Sequence, residues 1–162
     1  MSSIPIHFES KPQDVSLLRS AWDLPLIALG FLQGAILLLY PSPFLIALGM
    51  WWAANTIAHN FIHRPFFSSR PLNRLFSLYL TLIIGLPQSL WRQRHLAHHA
   101  DRNWQLKITP QLTIEFLALL TLWLLLAKSF PKFFLSTYTP AYLAGLCLCE
   151  TPSTWGMGER AG

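Results

Sequence analysis

Apolar positions gather into long runs parted by short polar breaks, a spacing that predicts membrane-length helices. Residues 24–40 form the first run, and Tyr40-Pro41-Ser42-Pro43 after it reads as a tight turn into a second run at 44–58. Residues 112–127 and 133–149 form another pair around Lys128, Pro131 and Lys132. All four are near the short end of the roughly 17 to 25 residues that cross a bilayer as helix, so their ends are expected to extend by several residues. Residues 75–91, between the pairs, are apolar but broken by Gly85, Pro87 and Gln88. Arg70 and Arg74 precede this segment, and Arg92 and Arg94 follow it. If it spanned, one arginine pair would face the wrong side, so the charge rule predicts a re-entrant or interfacial segment with both ends on one face.

The expected fold is an all-α membrane protein with about four transmembrane helices, one interfacial or re-entrant segment and further cytoplasmic helices. Residues 1–23 read as a polar cytoplasmic leader, 24–149 as the membrane domain and 150–162 as an atypical polar tail. The first run lacks a small-x-small cleavage site, so it reads as a retained anchor. Gly30 and Gly34 form a GxxxG in it, expected to allow close helix packing.

Composition supports the same solvent. Hydrophobic residues make up 52% of the 162 and charged residues 12%, where a soluble domain carries about 25% charged. The net charge is +5, and its placement decides its meaning. Seven cations between His59 and Lys107 face the single acid Asp101, as expected of a cytoplasmic loop under the positive-inside rule. No nucleic-acid motif accompanies the charge, so no nucleic-acid partner is expected. Cys147 and Cys149, two apart in an apolar run, read as buried thiols outside any disulfide framework. Most tryptophans lie near segment ends, as in an aromatic belt.

Five of the six histidines fall into two clusters, His59-Asn60-Phe61-Ile62-His63 and His95-Leu96-Ala97-His98-His99. Helical residues three or four apart share a face, so His59 and His63 point together, and His98 and His99 lie beside His95. Histidine near a membrane is costly without a partner or a function, and converging imidazoles suit Zn, Cu, Fe or Ni. Asn60 stands where a zinc protease of the HExxH pattern needs its glutamate base, which excludes hydrolysis on that template. Haem ligation calls for single histidines on facing helices, and an ion path through the bilayer is poorly supplied, with Gln33 and Asn55 the chief polar residues in the runs. Five imidazoles exceed what one tetrahedral zinc takes, which points to more than one metal ion.

These residues resemble the membrane fatty acid desaturase and hydroxylase superfamily over about 24–149. That family carries HxxxH after its second transmembrane helix, matched by His59 and His63, and HxxHH beyond a membrane-embedded segment, matched by His95, His98 and His99. The resemblance implies these five as metal ligands of a non-haem di-iron centre on the cytoplasmic side. It implies a lipid acyl chain as substrate, and dioxygen with two electrons from a ferredoxin or cytochrome-type donor to attack a C–H bond. The family places a third histidine box after its last helices, whereas residues 150–162 contain no histidine. An interrupted, non-catalytic membrane protein with an incomplete metal site is therefore the competing expectation.

Two supporting residues follow from helical geometry. Trp51, Asn55, His59 and His63 recur at intervals of four, so Asn55 is placed to orient His59 by hydrogen bonding, or else to bond a neighbouring helix. Asp101, three residues after His98, is placed to orient it, or else is a solvated loop carboxylate beside Arg102. Glu115 reads as an interfacial residue at the mouth of the third span.

Overall fold

Proline at the first helical turn and a polar residue before it set three of the longer helix starts. Ser42 and Thr109 accept hydrogen bonds from the backbone N–H of Leu45 and Leu112, and Pro43 and Pro110 follow them at positions whose N–H has no helical partner anyway. The computed structural model describes residues 17–100 and 105–149, which form eight α-helical segments. These are α1 (Asp23–Leu39), α2 (Pro43–Trp52), α3 (His59–His63), α4 (Arg70–Ile84), α5 (Gln88–His99), α6 (Pro110–Ser129), α7 (Pro131–Phe133) and α8 (Thr139–Cys149). Among the described residues the only β pairing is an isolated bridge between Leu18 and Phe67. The described residues thus form an all-α fold, as the apolar runs predict.

Two of the joins are π-helical. Ala53–Ala58 links α2 to α3, and Phe134–Tyr138 links α7 to α8, so helical backbone continues from Pro43 to His63 and from Pro131 to Cys149. With α1 and α6 these rods make four helical columns, each on the order of 25–30 Å long at 1.5 Å per residue. One uninterrupted helix, Pro110–Ser129, is long and apolar enough to cross a membrane, and α1 is a shorter apolar helix of 17 residues. Large apolar side chains point outward: Phe31, Leu38, Phe116, Leu117 and Leu124 are all more than half exposed. Exposed leucine and phenylalanine on this scale mark a surface that meets a membrane or another apolar partner. Cys147 is also exposed, a correction to its reading as a buried thiol.

The interrupted segment folds back on itself. Gly85 ends α4 in the left-handed conformation (φ 76°), with its N–H donating to the Thr81 carbonyl at 2.8 Å. After Pro87 the chain re-enters helix, and the Gln88 N–H donates to Thr81 Oγ1 at 3.1 Å. Helix α5 then runs back, so Arg74 before the break and Arg92 after it line one crevice. One arginine from each basic flank therefore lies on the same face.

The core explains how the columns hold together. Ile27 of α1, Ala54 and Ile57 of the π turn, Phe61, and Phe76, Leu80 and Ile84 of α4 are buried in one cluster. Gly30 and Gly34 are buried as the GxxxG predicts. The phenol of Tyr79 lies against Gly34 and donates to the Gly30 carbonyl at 2.8 Å, in space a larger residue would fill. Ile46, Met50 and Ala141 form a second cluster, joining the Pro43–His63 column to α8.

Candidate metal centre

Helix α3 and the last turns of α5 bring the two histidine clusters face to face. His63 Nε2 lies 3.0 Å from His95 Nε2, and His99 Nε2 lies 3.0 Å from the same atom. Ligand atoms of His59, His63 and His95 all fall within 4.8 Å of one another. Ring centroids of His59 and His95 are 4.7 Å apart, and those of His95 and His99 are 4.5 Å apart. Four of the five box histidines thus converge. His98 does not join them: it stands beside His99, with centroids 6.0 Å apart. The reason is phase, since a residue three after His95 and one four after it leave the helix axis on opposite sides of it.

This geometry fits a cation. Two nitrogens about 2.1 Å from one ion stand roughly 3.0 Å apart at a right angle and about 3.4 Å apart at the tetrahedral angle. A neutral imidazole has one N–H and one lone pair, so mutual hydrogen bonding poorly explains three Nε2 atoms gathered at such distances. Burial pushes the His95 imidazole down from its ordinary value of 6.5 to about 4, with His59, His99, His63 and His98 adding repulsion. His59 is lowered too, first by burial and then by His63 and His99. Both stay unprotonated near neutrality, the form that ligates metal. All-imidazole donors suit Fe, Zn, Cu or Ni, so iron fits the residues present.

The surroundings hold the boxes in place through polar contacts between residues far apart in sequence. Glu115 is fully buried, a correction to its reading as an interfacial residue. Its Oε1 accepts from Ser77 Oγ at 2.6 Å and Gln111 Nε2 at 2.9 Å, and its Oε2 accepts from the Ser89 N–H at 2.7 Å. One carboxylate therefore ties α4, α6 and the N-terminus of α5, where negative charge also meets the positive end of the helix dipole. It was visible in sequence as the single acid within a 20-residue apolar helix, the kind of residue that rarely lies there without a role.

Asp23, buried at the start of α1, accepts from Arg64 Nη2 at 2.6 Å, one residue beyond His63. The preceding strand-like segment adds bonds from the Arg19 N–H to the Phe66 carbonyl and from the Ser68 N–H to the Leu17 carbonyl. The end of the first box is thus fastened to the chain entering α1. These partners are 41 residues apart, and no local pattern in the sequence marks them.

Asn55 corrects an expectation. Its Nδ2 donates to the Trp51 carbonyl at 2.8 Å, within its own helix, rather than orienting His59 or reaching a neighbouring helix. The π-helical stretch Ala53–Ala58 widens the turn, so a spacing of four no longer stacks residue 55 under residue 59. Asn60 likewise donates backward, to the Thr56 carbonyl at 2.6 Å. Asp101 and the tail at 150–162 lie outside the described residues.

A family model described as fatty acid desaturase matches residues 19–156. No curated protein matches the chain, and no solved structure does.

Proposed function

The chain belongs to the fatty acid desaturase family, and from that premise we propose a membrane oxidoreductase that attacks a C–H bond of a lipid acyl chain. The observation that carries this reading is the convergence of His59, His63, His95 and His99 from two separate boxes. His98 completes the set of proposed ligands for a pair of non-haem irons. When bound, iron supplies the oxidant: dioxygen takes two electrons from the acyl C–H bonds and two from a donor, leaving as two waters in desaturation or as one water and one inserted oxygen in hydroxylation.

The chain's own part is to hold, orient and exclude. Neutral His59 and His95 keep their lone pairs available, while Glu115 and the Arg64–Asp23 pair fix the helices that carry them. An apolar groove of about 250 Å³, bounded by Leu86, Leu90, Leu119, Leu120 and Trp123, offers a dry surface on which an acyl chain can lie. The four columns, the second of them as far as Ala58, are proposed to span the bilayer, with the histidine boxes beyond them on the cytoplasmic face. That basic face suits an acidic electron donor such as a ferredoxin, or a cytochrome.

The test is to load the purified chain with Fe(II), measure bound iron, and supply dioxygen, reductant and lipid. New double bonds or hydroxyl groups are then sought by mass spectrometry. Product formed by the wild type and absent from His63→Ala and His95→Ala is expected; absence of iron binding overturns the reading. A second reading, a non-catalytic membrane protein with an incomplete site, is favoured by the position of His98 outside the convergent set. Iron retained without any product supports it.

A further inference from the structure

Helices α3, α4, α5 and the start of α6 enclose a crevice of about 480 Å³ on the basic face, within the usual size of a small-ligand site. Most of its polar lining is already engaged. Asn73 exchanges two bonds with the Phe67 backbone, Gln93 exchanges two with Lys107, and Ser77 and the Ser89 N–H serve Glu115. Three groups remain. Arg74 and Arg92 line the crevice, and among the described residues neither makes an ion pair. Gln88 lines it as well, 2% exposed, and its Oε1 has no hydrogen-bond partner. A buried amide oxygen without a donor costs stability unless a ligand supplies one.

The missing complement is thus an anion for two arginines and a hydroxyl for one amide oxygen. Thr109 and Gln111 of the crevice wall stand at the polar end of α6, the helix long and apolar enough to cross a bilayer. That level is where phospholipid headgroups lie, and basic pockets between membrane helices hold such headgroups. The carboxylate of Glu115, bonded to Ser77 and the Ser89 N–H of the crevice wall, has three donors of its own.

We propose that this crevice binds the headgroup of an anionic, hydroxyl-bearing phospholipid, with Arg74 and Arg92 holding its phosphate and Gln88 Oε1 accepting from its hydroxyl. The site's link to catalysis, as the place that holds the head of the acyl substrate, rests on the desaturase reading above; the binding itself does not.

Native mass spectrometry of the full chain in a neutral detergent tests it, with phosphatidylglycerol, phosphatidylcholine and phosphatidic acid offered separately. Phosphatidylglycerol is expected to be retained about tenfold over phosphatidylcholine, and Arg74→Gln or Arg92→Gln to lower that retention by about tenfold each. Gln88→Leu is expected to weaken phosphatidylglycerol and leave phosphatidic acid, which lacks the headgroup hydroxyl, unchanged. Arg70→Gln, on the same flank but outside the crevice, leaves retention intact. Equal retention of the neutral and anionic lipids by the wild type overturns the proposal. So does an equal loss from Arg70→Gln, which would mean general surface attraction. Glycerol 3-phosphate binding as tightly as phosphatidylglycerol would assign the site to a soluble phosphoester and overturn the lipid. Iron content of the same samples separates the two readings. Iron without lipid preference overturns the headgroup site alone, and lipid preference without iron supports it while overturning the metal centre.

Discussion

Replacing Glu115 by alanine removes the one group that α4, α5 and α6 share. Three donors lose their acceptor at once: Ser77 Oγ, Gln111 Nε2 and the Ser89 N–H. Hydrogen bonds to a charged group contribute about 1.5 to 3 kcal/mol each. Against that loss stands the cost of desolvating the carboxylate on folding, about several kcal/mol, which the alanine variant no longer bears. The expected net destabilisation is about 3 to 5 kcal/mol, the range seen when a buried polar partnership is broken from one side. Glu115→Gln keeps the shape and one acceptor oxygen but turns an NH2 toward a donor, so about 1 to 3 kcal/mol is expected. The assay is reversible unfolding in mixed micelles by denaturing-detergent titration, with iron retention measured on the same variants. Because the Ser89 N–H opens the helix that carries His95, iron retention should fall with stability in Glu115→Ala. Combining it with Ser77→Ala should show a coupling of about 1 kcal/mol or more. A Glu115→Ala protein within about 0.5 kcal/mol of wild type, the scatter of neutral surface changes, would refute the reasoning.

Further outcomes follow from the same geometry. Loss of His95, whose Nε2 is 3.0 Å from two other imidazoles, should abolish iron retention, and His98→Ala should reduce it less, as read by metal analysis. In acid, His95 should stay unprotonated at pH 5.5, where an ordinary histidine is mostly charged, because burial lowers it to about 4; imidazole NMR of the metal-free chain reads this directly. Its folded value lies below the unfolded one, so the unfolded chain binds more protons, and stability should be full above about pH 6.5 and decline toward pH 4. Gly85→Ala should cost about 1 to 3 kcal/mol, since φ is 76° and the new Cβ would stand 2.5 Å from the Tyr142 ring; thermal unfolding reads it. Arg64→Leu should destabilise more than Asp23→Asn, on the order of 2 kcal/mol, because it strands a buried carboxylate whose Oδ2 already lacks a partner. Equal losses in the two variants, measured by the same unfolding, would count against that explanation.

The sequence by itself determined the helical class, the runs that form the columns, the fold-back at Gly85 and the histidines able to ligate. Each is a local property: apolar runs, proline and glycine punctuation, and a spacing of four on a helix act over neighbouring residues. What the tertiary structure decided are relations between distant residues and the local turns that spacing alone misjudges. His98 falls outside the convergent set because the phase of α5 is fixed by its packing on α3 and α6. Asn55 turns back to Trp51 because a π turn, not an α turn, precedes the first box. Glu115 lies in the core because α5 sets its N-terminus on that carboxylate, and Asp23 finds Arg64 across 41 residues. An apolar run states that a helix forms; only packing, which couples every helix's rotation to its neighbours, fixes which polar atoms meet.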